Sequence, residues 1–179
     1  MKKSTFTDPR DGKAYRIVEI GSQVWMAENL AYNVVGSKYY EDKRENGEIY
    51  GCLYDWETAM SVCPPGWHLP SEKEFKILID FVGGREIAGK KLKAKSGWDG
   101  NNGTDDFGFA AMPSGFCYNN LYDYEFHHIG LDENYWSSSE GCSLGMHYKH
   151  DRASLFPESH NYCLLSVRCI KNLEGKKYA

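Results

Sequence analysis

The six cysteines are the side chains with the most distinctive chemistry in this 179-residue sequence. They are even in number and include no C-x-x-C pair, lying at Cys52, Cys63, Cys117, Cys142, Cys163 and Cys169. Structural zinc sites are usually built from closely spaced cysteine or histidine pairs, which this pattern lacks. We therefore predict disulfide bonds, which persist in an oxidising compartment. The spacing alone leaves the pairing open.

A second group of side chains with ion-binding potential lies in residues 96–109, a stretch rich in Gly, Asn and Asp. Carboxylate and amide oxygens suit calcium, although the spacing here is not that of an EF-hand. The calcium candidates are Asp99, Asn101, Asp105 and Asp106. Such side chains also cap turns in long loops, and we favour that interpretation. Apart from this candidate calcium, we expect no cofactor.

Several functional classes lack their sequence signals. The motifs G-x-S-x-G and H-E-x-x-H and a glycine-rich phosphate loop are absent. The formal net charge of -4 gives no basic surface for nucleic acid. No apolar run approaches the ~18 residues that a membrane span needs. We therefore predict neither a hydrolase nor a nucleic-acid-binding or transmembrane protein.

Ligand recognition is the function that the remaining composition favours. Aromatic residues make up 15% of the chain, and 13 residues are tyrosines. Tyrosine offers a large contact area with few rotatable bonds, and Asn, Ser and His offer adaptable hydrogen bonds. In segments 118–128 and 146–162 we predict ligand binding by Tyr118, Asn119, Tyr122, Tyr124, Tyr148, His150, Arg152, His160 and Asn161. The alternative is that these side chains pack the loops of the domain.

Two helices, one on each side of a proline-containing turn, must position these segments. Trp56, Ala59 and Met60 share one face of the first helix, which ends at Cys63 before Pro64-Pro65. The second helix is predicted to begin at a capping box, S-x-x-E, over residues 71–74. Its apolar stripe comprises Phe75, Leu78, Ile79 and Val82. A shorter third helix is predicted over 85–95, weakened by Gly89.

Short strands are predicted around the helices. Residues 14–20 and 23–26 form a hairpin through Gly21-Ser22. Other predicted elements are an exposed loop at 29–46, strands at 107–112, 135–139 and 164–171, and a hairpin of 146–150 with 153–156. Together these elements predict one α+β domain over residues 1–179, with a core at about 8–171 and a frayed C-terminal tail.

A resemblance to known families covers most of the chain. Seven residues resemble the helix-and-cysteine signature of C-type lectin-like domains: Trp56, Ala59, Cys63, Gly66, Leu69, Ser71 and Glu74. More closely, the chain resembles the Fibrobacter succinogenes major paralogous domain family, which is similar to the formylglycine-generating-enzyme-like branch of that fold. The motifs that carry this resemblance are GSQVWMAENL, YGCLYDW, CPPGWHLPSEKEF, GKKLKAKSGW, GTDDFGFAAMPSGF, YWSSSE and LSVRCIK, from Gly21 to Lys171.

The resemblance implies a C-type lectin-like α+β fold with two main helices, small antiparallel sheets and long ordered loops. It also implies a disulfide between Cys63 and Cys169, because in that fold the cysteine after the first helix pairs with one in the last strand. A closed loop of this size is expected to stabilise the fold by roughly 4–5 kcal/mol. Outside the family motifs we predict the pairs Cys142–Cys163 and Cys52–Cys117.

The resemblance also implies an exported bacterial protein whose biochemical function is undefined. Met1-Lys2-Lys3 resembles the start of a signal peptide, but polar residues follow, so we predict no export signal in this chain. We expect an extracellular or cell-surface protein of a bacterium, which acts as a monomer. Its predicted function is to bind a protein or glycan ligand through the tyrosine-rich C-terminal loops.

Two other functional classes stay open. One is an oxidoreductase of the formylglycine-generating type, or a degenerate relative. Against it, the arginine-glycine-glycine motif of that enzyme is absent, and Cys163 lies in an apolar setting that does not activate a thiol. The other is a structural surface module without a soluble ligand. The sugar-binding triplets of calcium-dependent lectins are absent as well.

Overall fold

The computed structural model describes residues 4–120, 123–157 and 162–172. Within these ranges the chain forms four α-helices: α1 (Arg44–Tyr50), α2 (Trp56–Val62), α3 (Glu72–Phe81) and α4 (Arg85–Leu92). A short 3₁₀ turn at Tyr40–Asp42 precedes α1. None of the helices in the described part of the chain is long and apolar enough to cross a membrane.

Twelve strands accompany the helices in the same ranges. The first six are β1 (Ser4–Thr7), β2 (Ala14–Ile20), β3 (Gln23–Met26), β4 (Leu53–Tyr54), β5 (Trp67–His68) and β6 (Phe116–Asn120). The others are β7 (Asp123–His127), β8 (Asp132–Trp136), β9 (Ser143–His147), β10 (Ala153–Phe156), β11 (Cys163–Ser166) and β12 (Ile170–Lys171). The protein is therefore of the mixed α+β class, as the sequence predicts.

The first sheet has five strands in the order β1-β2-β3-β12-β5, each antiparallel to its neighbour. Its β2–β3 hairpin is confirmed, and the turn uses Gly21 with a φ of 61°, a conformation that glycine adopts at little cost. The Trp25 ring of β3 stacks on Phe75 of α3 with 5.7 Å between ring centroids. This contact packs the sheet against α3.

The second sheet has the order β10-β9-β8-β11-β6-β7, and β4 also pairs with β11. Neighbouring strands are antiparallel except β8 and β11, which run parallel. The hairpin predicted at 146–150 and 153–156 is confirmed, but its first strand begins and ends three residues earlier, at Ser143 and His147.

The segment 163–171 joins the two sheets. The sequence predicts one strand over 164–171, but the chain leaves the second sheet after Ser166 and enters the first sheet at Ile170. In the gap, Cys169 forms a disulfide with Cys63, which directly follows α2. The predicted Cys63–Cys169 bond is therefore confirmed, and it spans a sequence separation of 106 residues.

Helix α3 forms for the local reasons that the sequence predicts. The Ser71 hydroxyl accepts a hydrogen bond from the Glu74 backbone N–H, and the Glu74 carboxylate accepts one from the Ser71 backbone N–H at 2.8 Å. Both bonds of the capping box are thus present. The apolar stripe of the helix is buried in the core: Phe75, Leu78, Ile79 and Val82.

A buried polar network connects the two sheets through Arg168, whose side chain is fully buried. Its guanidinium donates hydrogen bonds to the Phe109 carbonyl at 2.6 Å and to the Tyr135 hydroxyl at 2.8 Å. It also donates to the Met26 carbonyl at 3.3 Å and to Asn29 Oδ1 at 3.1 Å. One side chain therefore holds the end of β3, the strand β8 and the loop before β6 together.

Asn29 extends this network to the buried carboxyl group of Glu133. Asn29 Nδ2 donates to Glu133 Oε1 at 3.0 Å, and the Ser114 backbone N–H donates to Oε2 at 2.8 Å. The Ser114 hydroxyl also donates to this carboxyl group and lies 2.7 Å from the Ser166 hydroxyl. Burial raises the pKa of Glu133 to about 7, although the hydrogen bonds from Ser114 oppose the shift.

Two further predictions of secondary structure are wrong, one hairpin was not predicted, and the strand predicted at 135–139 lies three residues earlier, at Asp132–Trp136. Residues 29–46 are not an exposed loop, because Asn29 is buried by the network and the start of α1 falls inside this range. Residues 107–112 form no strand and pair only through a single bridge between Ala111 and Lys93. The hairpin of β6 and β7 was not predicted, although Tyr124 and Phe126 alternate with polar residues in β7.

The predicted pairs Cys52–Cys117 and Cys142–Cys163 are wrong, because all four cysteines are unbridged and buried. Cys117 packs with Tyr40 and Leu164, whereas Cys52 belongs to a separate core cluster. Cys142 precedes β9 and Cys163 begins β11, and β8 lies between these two strands. Pairing in either case would require a rearrangement of the core.

Two organisational predictions are not tested by these elements. That residues 1–179 form one domain stays a prediction. The predicted frayed tail lies, from residue 173 onward, outside the described residues.

Removal of the disulfide tests its contribution to stability. We expect Cys63→Ala/Cys169→Ala to lower the free energy of unfolding by roughly 4–5 kcal/mol, because a loop of this length strongly restricts the unfolded chain. Urea unfolding under non-reducing conditions measures the change. The control Cys142→Ala removes an unbridged thiol, and a loss in the double variant no larger than in this control would contradict the expectation.

Candidate functional site

The outward face of β8, β9 and β10 carries a row of polar side chains. Along a strand, side chains alternate between two faces, and directly paired residues of neighbouring strands share a face. Glu133 and Tyr135 of β8 are buried in the core, so Asp132 and Asn134 lie on the opposite face. The outward pairs are Asp132–His147, Asn134–Gly145 and Gly145–Ser154.

These outward side chains line a surface cavity of about 360 Å³, which we call the Asp132 groove. Helix α4, the three strands and the β9–β10 connection contribute its lining: Arg85, Asp132, Asn134, Gly145, Met146, His147, His150, Arg152, Ser154 and Phe156. Its volume lies at the lower end of the ~300–1,000 Å³ typical of small-molecule sites. The groove therefore has room for a small molecule or for one unit of a polymer.

Gly145 forms the floor of the groove. A Cβ at this position would lie 2.5 Å from the Phe156 ring and 2.7 Å from Asn134 Oδ1. The absence of a side chain lets the Phe156 ring and the Asn134 amide close over the strand. The Phe156 side chain remains 50% exposed, so the groove presents an apolar ring beside a polar amide.

The carboxylate of Asp132 is shared between two imidazoles. Its Oδ2 lies 2.5 Å from His128 Nδ1, and its Oδ1 lies 3.7 Å from His147 Nε2. His147 Nδ1 accepts a hydrogen bond from the Lys149 backbone N–H at 3.1 Å, so the neutral ring carries its proton on Nε2, facing Asp132. Burial lowers the pKa of His147; the Asp132 carboxylate opposes this shift, and His150 and Lys149 add to it. The carboxylate is thus engaged and is not a free anion in the groove.

The two arginines of the groove have no carboxylate partner among the described residues. Arg85 Nε donates a hydrogen bond to the Ser154 hydroxyl at 3.1 Å. The exposed Arg152 makes neither a hydrogen bond nor an ion pair through its guanidinium in the described ranges. Arginine binds carboxylates and related anions through two parallel hydrogen bonds. In the described part of the chain the groove therefore offers an anion two guanidinium groups that no carboxylate neutralises.

A buried lysine positions the β9–β10 connection. Lys93 is fully buried, and its ammonium donates to the His150 carbonyl at 3.0 Å and to the Asn101 carbonyl at 2.8 Å. Burial lowers the pKa of Lys93 to about 8. Beside it, a Cβ on Gly89 would lie 2.3 Å from the Arg152 carbonyl oxygen. Gly89 is thus required for close packing of α4, which places Arg152 at the groove.

A second surface, which we call the aromatic strip, lies on the β6–β7 hairpin and the residues next to it. It comprises Phe116, Tyr118, His127, His128 and Tyr162. The Phe116 ring lies 5.1 Å from Tyr118, 5.6 Å from His127 and 5.2 Å from His128, measured between centroids. Tyr162 extends the strip with a centroid distance of 5.7 Å to Tyr118. Because His128 also contacts Asp132, the strip and the Asp132 groove are continuous.

The structure brings only some of the predicted binding residues together. His150 and Arg152 line the Asp132 groove, and Tyr118 lies in the aromatic strip. Tyr148 packs against the core cluster and contacts the His147 ring. Asn119 is exposed on β6.

Tyr124 lies on the opposite face of the β6–β7 hairpin. The Lys38 ammonium lies 4.3 Å above its ring, and the ring packs against the cluster around Leu53. Tyr124 therefore lies outside the aromatic strip, because adjacent positions of paired strands alternate between faces, and its role in ligand binding stays a prediction. The other predicted residues, Tyr122, His160 and Asn161, lie outside the described residues.

Sequence reasoning missed Asp132, Asn134, Gly145, Phe156 and Arg85 as site residues. The available signal was the alternation in β8, where the buried Glu133 separates Asp132 from Asn134. Arg85 could not be found in this way, because its place at the groove depends on the packing of α4 against β10.

The calcium candidates do not converge on one point. The Asn101 amide donates to Asp151 Oδ1 at 3.1 Å, and Asp105 Oδ1 accepts from the Ala110 backbone N–H at 2.8 Å. In the part of the chain that the structure describes, no three His, Cys, Asp or Glu side chains are arranged to hold a metal ion, so Asp99 and Asp106 do not complete such a site with Asp105. The geometry supports turn capping for this loop.

A smaller cavity of about 310 Å³ lies beside the start of α3 and contains a paired histidine and glutamate. His68 Nε2 lies 2.9 Å from Glu74 Oε1. Burial alone would raise the pKa of Glu74, but hydrogen bonds from His68 and Ser71 outweigh it and hold this pKa at about 2. Because the carboxylate also caps α3, we assign this pair a structural role.

The four unbridged thiols are poorly suited to redox chemistry. Burial raises the pKa of Cys52 and of Cys163 to about 11 and that of Cys117 to about 12. It raises the pKa of Cys142 as well. Reactive cysteines need a lowered pKa and access to solvent, and these residues have neither.

The fold and its surfaces define an α+β protein with a polar groove and an aromatic strip on one sheet. The sequence matches the family described as Fibrobacter succinogenes major domain over residues 18–171. The chain therefore belongs to this family, and the predicted resemblance is confirmed. Neither the curated proteins nor the solved structures contain a match to this chain.

Thiol labelling tests the inert state of the cysteines. At pH 7.4 a thiol with a pKa near 11 is ionised to well below about one part in a thousand, so we expect native protein to react with a disulfide reagent only as fast as it unfolds. Protein unfolded in urea without reductant serves as the control and should expose four thiols. Rapid labelling of one native cysteine would contradict this expectation and indicate an activated thiol.

Proposed function

We propose that this protein is a secreted or cell-surface ligand-binding module, which recognises a protein or glycan through the outward face of its second sheet. The observation that carries the proposal is the continuity of the Asp132 groove with the aromatic strip. The two surfaces meet where His128 contacts both Asp132 and Phe116. Together they form one extended face with polar, cationic and aromatic side chains.

The chemistry of this face is typical of recognition surfaces. Aromatic residues and arginine are enriched where proteins bind partners, because each provides large contact area or several hydrogen bonds at modest entropic cost. Most of these side chains are carried by paired strands. Strands hold a binding constellation in place better than a free loop does.

The fold within the α+β class bears on this function. We propose a C-type lectin-like arrangement, supported by the disulfide from Cys63 after α2 to Cys169 beside the last strand. Long ordered loops and two packed helices agree with it. The disulfide further supports an extracellular or cell-surface location, since such bonds persist in oxidising compartments.

An oxidoreductase of the formylglycine-generating type is the alternative from another class. It requires a reactive thiol beside a substrate groove. The unbridged cysteines lie in the core, and none of them lines the Asp132 groove. The binding function therefore has the better physical support.

Array binding tests the proposed function. We expect the labelled chain to bind at least one glycan or protein saturably, with or without millimolar calcium. Tyr118→Ala and Arg152→Ala should each weaken that binding, in at least one case on the order of tenfold, because they remove a half-buried and an exposed contact group of the face. The control Lys76→Ala changes an exposed residue of α3 away from both surfaces.

Two results would overturn the proposal. The first is an absence of saturable binding on glycan and protein arrays at every calcium level, which would favour a structural module. The second is a bound ligand whose affinity is unchanged by both face variants but lost in Lys76→Ala.

A further inference from the structure

The charge balance of the Asp132 groove indicates the class of its ligand. Its lining contains two arginines and one carboxylate, and that carboxylate is shared by His128 and His147. The whole chain carries a net charge of -4, so this local excess of positive charge runs against the average of the surface. Unpaired guanidinium groups at such a place favour an anionic ligand.

The groove also contains the contacts that a sugar ring needs. The half-exposed Phe156 ring lies over Gly145 and offers an apolar stacking surface to the C–H groups of a pyranose. Around it, the Asn134 amide, the Ser154 hydroxyl and the His150 imidazole offer donors and acceptors for sugar hydroxyl groups. An apolar ring surrounded by polar groups is complementary to a sugar, which has C–H groups on its faces and hydroxyl groups at its edges.

A protein ligand fits the groove less well. A stable protein interface buries about 800 Å² on each partner and is anchored by several apolar side chains in its centre. The groove presents one exposed apolar ring, Phe156, and a volume of about 360 Å³. Nucleic acid is disfavoured because the basic groups are too few.

We infer that the Asp132 groove binds a hexuronate unit of an acidic glycan, whose carboxylate pairs with Arg85 and Arg152 and whose ring contacts Phe156. This inference rests on the proposed function and narrows its ligand class. In this arrangement the two guanidinium groups recognise the charge, and Gly145 lets the Phe156 ring lie close to the strand, where the ring contacts the sugar. The Asp132 carboxylate faces His128 and His147 and pairs with neither arginine.

Calorimetric titration of the full chain tests the inference with three kinds of probe. These are trimers of galacturonate, glucuronate and mannuronate, their neutral methyl esters, and a triglutamate peptide. We expect saturable binding of at least one acidic trimer. Its methyl ester and the peptide should each bind roughly tenfold more weakly or less, because charged hydrogen bonds to carboxylate and contacts to the sugar ring are both needed.

Matched variants locate the site on the molecule. Arg85→Gln and Arg152→Gln should each weaken binding of the acidic trimer about tenfold, and Phe156→Ala should weaken the acid and the ester alike. Arg44→Gln removes an exposed arginine of α1 outside the groove and should change affinity less than about twofold. All of these residues are exposed, and equal melting temperatures will verify that each variant is folded.

The outcomes separate this inference from the proposed function. Equal binding of acid and ester, stronger binding of the peptide, or unchanged affinity in Arg85→Gln/Arg152→Gln overturns the hexuronate assignment. The assignment also fails when no acidic trimer binds. If arrays still show a ligand that Tyr118→Ala weakens, the binding function stands and only the ligand class is wrong; if they show none, both fail.

Discussion

The buried guanidinium of Arg168 is the interaction on which the rest of the structure depends. Removing a cation from water is costly unless its hydrogen-bond donors are satisfied. Here the carbonyls of Met26 and Phe109, the Asn29 amide oxygen and the Tyr135 hydroxyl satisfy them. These partners come from both sheets and from the loop before β6. The guanidinium can therefore be accommodated only when all three are assembled.

This constraint determines which side chains face solvent. The network draws Tyr135 and Glu133 inward, so the strict alternation of strand β8 directs Asp132 and Asn134 outward. Register then aligns His147 of β9 with Asp132. The outward groove is thus a consequence of the inward network. Several motifs that carry the family resemblance contribute to the inward side, which explains why they reveal the fold without identifying a ligand.

Local signals in the sequence predict the elements that local chemistry determines. The capping box of α3 and the hairpin turn at Gly21 depend on near neighbours, and both were predicted from the sequence. The Cys63–Cys169 bond followed from family resemblance. The split of 164–171 between two sheets and the reversed face of Tyr124 depend on distant partners, which no local pattern encodes. His150 and Arg152 were predicted as site residues because they lie in a segment of binding-type composition. Arg85 was not predicted, because only the packing of α4 brings it to the groove.

The most direct test of the central claim is NMR observation of arginine Nε–H groups and backbone amides while an acidic trisaccharide is added. The account predicts that the signals of Arg85, Arg152 and Gly145 shift in a saturable manner, while the Arg168 signal stays constant because its guanidinium is buried in the network. Saturable shifts confined to arginines outside the groove, such as Arg10 and Arg16, or no shifts at all, would contradict it.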